Sequence, residues 1–145
     1  MIGQYAHGNE PSHHIAWLYA FSDAPQTGHR LLRRIVREFH NDTPDGMIGN
    51  DDCGQMSAWY IFACLGFYPV NPASGAFVLA TPQVKKACIR LANGRQFEVM
   101  AKDFSDQNAC SRQFWLNGVL KPTPSIGFRE IMAGGKLVYE MGKCP

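Results

Sequence analysis

Two acidic clusters carry the residue types best able to do chemistry. One is Asp51–Asp52, inside the stretch TPDGMIGNDDCGQMSAWYIFACLGFYP at 43–69. The other is Asn9–Glu10, inside HGNEPSHH at 7–14. Carboxylates held ahead of a helix can move protons, and with an amide oxygen they can ligate a hard cation such as calcium. Each cluster also has a plainer reading, because Asp and Asn are preferred helix N-caps. Trp59 and Tyr60 follow Asp51–Asp52, and such rings stack on sugars or fill cores. His13 and His14 are sequence neighbours, so on a helix they point about 100° apart and do not share one metal. Ser12 beside His13 makes no nucleophile–base pair for the same reason. Carboxylates with aromatics fit glycoside hydrolysis, in which one carboxyl group is the acid and another the base or nucleophile.

The elements that must hold these residues follow from periodicity. Pro11 suits a first helical turn, and His13, His14, Trp17, Leu18 and Phe21 recur at helical spacing, predicting a short helix over 11–21. Asp23-Ala24-Pro25 breaks it. A second helix is predicted over 27–40, with Leu31, Leu32, Ile35, Val36 and Phe39 on one stripe and Arg30, Arg33, Arg34 and Arg37 opposite. Pro44, Gly46 and Gly49 make 43–53 an irregular loop. A mostly apolar third helix over 54–65 then stops at Gly66 and Pro69. After residues 69–75 the pattern changes to period 2. Strands are predicted at 77–80, 87–91, 97–101, 114–116 and 137–141, with hairpin turns at Asn93-Gly94 and Asn117-Gly118 and one helical turn within 126–132. Helices first and strands second imply an α+β chain with segregated modules, divided here as a helical segment over 1–70 and an antiparallel β module over 71–145. The first and third helices are apolar round much of their circumference, which calls for neighbours that this arrangement does not supply.

Composition sets limits. The 145 residues are 46% hydrophobic and 18% charged, enough to bury a core. With 14 basic and 12 acidic residues the net charge is +2, so the arginine face of the second helix does not amount to a nucleic-acid surface. No apolar run is as long as a membrane span, and the start has no signal-peptide pattern. Cys53, Cys64, Cys88, Cys110 and Cys144 form no CxxC; one or two disulfides can form, and spacing alone does not assign them.

The motifs GNEPSHHIAWLYAF at 8–21 and NDTPDGMIGNDDCGQMSAWYIFACLGFYPVNPASG at 41–75, with LNG at 116–118 and EIMAGGKLVYEMG at 130–142, resemble the C-terminal end of glycoside hydrolase family 92. The resemblance spans nearly the whole chain. It implies helices from part of an (α/α)6 barrel followed by the β module. The activity it implies is that of a calcium-dependent, inverting exo-α-mannosidase acting on terminal α-mannosides of glycans, with α-1,2 linkages expected. Asp52 matches the general base and Asp51 is left to support or cap the helix. In some members a second acid lies two residues before the base, where this chain has Asn50. Asn9 and Glu10 match the segment that contributes to the Ca2+ site, and His13, His14 and Trp59 are candidate walls of the sugar pocket.

The same resemblance places the general acid, a glutamate, upstream of these residues. The chain is therefore expected to be a C-terminal fragment of a longer, exported mannosidase, inactive by itself and partnered by the remainder of that enzyme and a mannose-containing glycan. The alternative is a non-catalytic carbohydrate-binding or structural module. It predicts sugar binding that survives Asp52→Ala and needs no calcium, or no sugar binding at all.

Overall fold

The computed structural model describes residues 2–145. The opening segment forms two 3-10 stretches, Glu10–Ser12 and Ile15–Phe21. Helix α1 spans Pro25–Phe39 and helix α2 spans Gln55–Leu65. Strand β1 (Phe67–Tyr68) and strand β2 (Ala76–Leu79) follow, then β3 (Lys86–Arg90), β4 (Gln96–Lys102), β5 (Cys110–Leu116), β6 (Val119–Leu120) and β7 (Ser125–Gly127). Helix α3 (Phe128–Met132) and strand β8 (Gly135–Gly142) complete the chain. The fold is α+β.

Two expectations need correction. Residues 11–21 are not an α-helix: the bonds Trp17 N–H to His14 O (3.0 Å) and Ser22 N–H to Tyr19 O (3.1 Å) close the tighter i→i+3 ring. Close approach to α1 accompanies the tight coil. A Cβ on Gly28 would stand 2.7 Å from Tyr19 Cβ and 2.8 Å from Ala16 O, so only glycine lets the two elements touch there. Nor is the β module wholly antiparallel. Its main sheet runs β3-β4-β8-β5-β6, and the last strand, β8, lies parallel to β4. Hairpin turns pair sequence neighbours, as Asn93-Gly94 joins β3 to β4. Inserting β8 between β4 and β5 is a long-range choice that puts Leu137, Tyr139 and Met141 into the core.

A smaller sheet, β1-β2-β7, joins the two halves, because Phe67 and Tyr68 pair with Leu79 and Val78. Tyr139 reinforces this seam. Its buried hydroxyl donates to Gly66 O at 3.0 Å, where Gly66 ends α2 in the left-handed conformation. One apolar cluster fills the β half. A second gathers Trp17, Leu32, Ile35, Val36 and Trp59 between the 3-10 stretch, α1 and α2.

The arginine face of α1 is used internally. Arg33, nearly buried, and Arg37 both pair with Asp106 in the loop between β4 and β5. A disulfide joins Cys110 to Cys144 and fastens the C-terminal tail to the start of β5. The outer faces of the helical half remain apolar: Ile15, Leu18 and Phe21 repeat at the three-residue spacing of a 3-10 helix and are exposed, as are Tyr60 and Ile61 on α2. No helix among the described residues is long and apolar enough to cross a membrane.

Candidate active site

The loop between α1 and α2 is built to deliver Asp51 and Asp52. Asn41 N–H donates to Gly46 O (2.8 Å), Gly46 N–H donates to Thr43 O (2.9 Å), and Asn41 Oδ1 accepts from Thr43 N–H (3.0 Å). Ile48 N–H reaches back to Phe39 O at 3.2 Å, closing the loop on the end of α1. Past Asn50 the backbone turns through three consecutive left-handed residues, Asp52 (φ 44), Cys53 (φ 61) and Gly54 (φ 86). That conformation costs an L-residue roughly 1–2 kcal/mol, and Asp is among the residues that tolerate it best.

The turn gives the two aspartates different surroundings. Asp51 Oδ1 accepts from Ser57 N–H at 2.9 Å and its carbonyl accepts from Met56 N–H at 3.2 Å. Gly54 is the N-cap of α2, and Asp51, three residues ahead of it, satisfies a first-turn N–H and places negative charge near the positive end of the helix dipole. Asp52 instead meets Glu10, far away in sequence. Their carboxyl groups are close enough to share a hydrogen bond. That bond and the Glu10 charge hold the Asp52 pKa above the usual carboxylate range, with smaller contributions from desolvation and from Asp51. The same bond, aided by the Glu10 backbone N–H, lowers Glu10. Two carboxyl groups in contact cannot both ionise freely, so they divide one proton.

Glu10 also meets a structural test for a cation. Its Oε1 is shut off from solvent and has no hydrogen-bond donor. A buried carboxylate oxygen without a donor is costly, and a hard cation satisfies it. Asn9 starts the first 3-10 turn through its carbonyl, and its side chain makes no cap bond, which leaves an amide oxygen beside Glu10. Among the described residues no three of His, Cys, Asp and Glu converge as a metal cluster. Glu10 and the Asn9 amide would thus supply part of a calcium shell, with carbonyls, water or sugar hydroxyls for the rest.

The three residues expected to wall a sugar pocket are split by the structure. His14 is exposed. His13 and Trp59 are enclosed, at 1% and 0% exposure, and offer no face to a ligand. They are instead the supports of the site. Trp59 Nε1–H donates to His13 O at 3.0 Å, which ties the Glu10 turn to α2. His7 packs edge-on against Trp59 with centroids 4.2 Å apart, and its Nδ1 bonds the Tyr5 hydroxyl at 2.8 Å. His13 Nε2 lies 3.1 Å from His7 O, and His40 completes the nest against Trp59 and Tyr60. Burial, then the neighbouring imidazoles His13 and His40, lower the His7 pKa to about 3; burial also lowers His13 and His40. The nest is neutral and packed. Sequence reasoning missed His40 and the Glu10–Asp52 contact, and no local spacing could have shown either.

The larger clefts lie elsewhere. One of about 540 Å³ sits between α1 and β5, and another of about 550 Å³ lies under the 40–47 loop, lined by Ser57, Tyr60 and Ile61. Neither is lined by Glu10 or Asp52.

Residues 1–143 match the model of the glycosyl hydrolase family 92 catalytic domain. The chain is 29% identical over 139 residues to an uncharacterized secreted glycosidase of Arthroderma benhamiae, covering 94% of this chain and 18% of that protein. Among solved structures it resembles a family GH92 α-mannosidase from Bacteroides thetaiotaomicron, with TM-score 0.93 and 40% identity over 98% of this chain and 19% of that one. That enzyme has also been solved in complex with mannoimidazole. A GH92 inverting mannosidase of the same organism gives TM-score 0.87 and 35% identity, over 97% of this chain and 19% of the other. The chain spans about a fifth of the length of these relatives.

Proposed function

This chain belongs to glycosyl hydrolase family 92, and from that membership we propose that it forms the base-bearing part of a calcium-dependent, inverting α-mannosidase acting on terminal α-mannosides of glycans, α-1,2 linkages among them. The observation that carries the reading is the contact of Asp52 with Glu10 beside a solvent-excluded, unpartnered carboxylate oxygen. The relative solved with mannoimidazole supports a mannose-type substrate.

In this reading Asp52 takes a proton from the attacking water. Its raised pKa, closer to neutrality than an ordinary aspartate, makes its ionised form a stronger base. Asp51 holds the helix that carries the loop, and Trp59 and His13 hold the Glu10 turn against that helix. Glu10 and Asn9 would hold calcium, which when bound supplies positive charge to orient sugar hydroxyls. Inversion also requires a general acid roughly 6.5–9.5 Å from the base. We assign that acid to residues outside these 145, so the 145-residue chain alone is expected not to turn over mannosides. The Cys110–Cys144 disulfide and the secreted relative favour an exported enzyme.

The test is Asp52→Asn in the full-length enzyme. Turnover of an α-1,2-mannobioside should nearly vanish while mannose affinity stays close to wild type. Substantial remaining turnover would remove Asp52 from the base role, and turnover indifferent to EDTA would remove the calcium.

A further inference from the structure

Two glycines stand just ahead of the paired carboxyl groups, Gly8 before Asn9–Glu10 and Gly49 before Asn50–Asp52. The structure packs them backbone on backbone. A Cβ on Gly49 would lie 2.7 Å from Gly8 O, 2.9 Å from Gly8 Cα and 3.2 Å from Gly8 C. These are main-chain atoms that cannot rotate aside. Gly49 also has φ +77, a left-handed conformation that side chains resist. We propose that Gly49 is a positioning residue: its direct contact with Gly8 sets the separation of the two loops and so places the Asn9–Glu10 turn relative to Asp52. The proposal rests on reading Glu10 and Asp52 as a working pair.

The contact is asymmetric, and this gives the proposal its test. A Cβ on Gly8 would meet Gly49 Cα at 3.4 Å and Gly49 N at 3.5 Å, ordinary van der Waals distances, and Gly8 has no left-handed φ. Alanine at 8 is therefore accommodated, whereas alanine at 49 must push the loops apart by more than about half an ångström to reach normal contact. Misplacement of about 1 Å between reacting groups can cost about 100-fold in rate. Gly75 supplies the control for backbone strain, since it has φ +66 with nothing within 4 Å of its would-be Cβ and lies at the turn into β2.

The experiment compares Gly49→Ala, Gly8→Ala and Gly75→Ala in the full-length enzyme. The expected result for Gly49→Ala is a fall of roughly 10–100-fold in kcat/KM, mainly in kcat, with a crystal structure showing the Gly8 and Gly49 loops moved apart. Gly8→Ala should stay within a few-fold of wild type, and Gly75→Ala should lose thermal stability without losing kcat. If Gly49→Ala does not fold, Gly8→Val presses on the same contact from the other side without left-handed strain and should reproduce the loss. The proposal is overturned if Gly49→Ala, or Gly8→Val in its place, keeps Gly75→Ala kinetics, or if its crystal structure retains the wild-type spacing of the two loops. If the wild-type enzyme cleaves no mannoside, the functional reading falls by itself, and the crystal structures still decide the spacing.

Discussion

Asp51→Ala separates the two adjacent aspartates more cleanly than any other change. The substitution deletes the 2.9 Å bond from Ser57 N–H to Asp51 Oδ1 at the start of α2. Losing a side-chain acceptor for a first-turn N–H costs about 1 kcal/mol, within a range of about 0.5–2, as for a side-chain N-cap. Loss of a negative charge at the helix N-terminus adds a few tenths at surface exposure. Asp51 is exposed, so water can take over the freed N–H and the total should stay near ~1–1.5 kcal/mol. For a domain of this size that is a fall in Tm of roughly 3–6 °C. Asp51→Asn keeps an oxygen for that N–H and should recover most of it. Asp52→Asn should behave in the opposite way. Asn tolerates left-handed φ at least as well as Asp, and the change removes a carboxyl group that competes with Glu10 for a proton. Its Tm should equal or exceed that of wild type at pH 7, with activity lost. Thermal unfolding followed by circular dichroism, with turnover measured on the same samples, makes the comparison. An unchanged Tm for Asp51→Ala, or a larger loss for Asp52→Asn than for Asp51→Ala, would refute the division of labour.

Three further outcomes follow from the packing. Cys110→Ala, or reduction of the disulfide, opens a link across 34 residues and should cost about 3–4 kcal/mol by loop entropy, seen as a lower melting temperature in dithiothreitol that the variant no longer shows. His29 is buried and its pKa is pushed down to about 4 by burial, so the unfolded chain takes a proton near pH 6.5 that the folded chain refuses. Stability is untouched above that pH and should fall by an amount on the order of 3 kcal/mol as pH drops towards 4. His29→Leu should flatten its share of that slope in denaturant titrations, while His7, His13 and His40 keep theirs. Gly28→Ala should destabilise by about 1–3 kcal/mol in urea melts, although alanine is the better helix former, because its methyl group meets Tyr19 and the Ala16 carbonyl.

The sequence was most legible where structure is local. The apolar stripe of α1, the Gly66 stop of α2 and the hairpin turns at Asn93-Gly94 and Asn117-Gly118 all depend on near neighbours, and each stands close to its expected place. It was least legible where a distant partner decides. The 3-10 geometry of Ile15–Phe21 goes with the close approach at Gly28, and the parallel pairing of β8 with β4 depends on which strands flank it. Neither leaves a periodic signal.

The candidate site divides the same way. Residue types by themselves marked the two acidic segments, and the resemblance of the motifs to the family made Asp52 the candidate base. Only the tertiary structure decided what surrounds those residues. Long-range packing enclosed Trp59 and His13 as supports rather than sugar-facing walls. It gave Asp51 a first-turn N–H of α2. Through the backbone contact of Gly8 with Gly49, it placed the Asn9–Glu10 turn relative to Asp52. Side-chain chemistry is written residue by residue in the chain, whereas a proton shared between two carboxyl groups exists only once folding has placed them within reach.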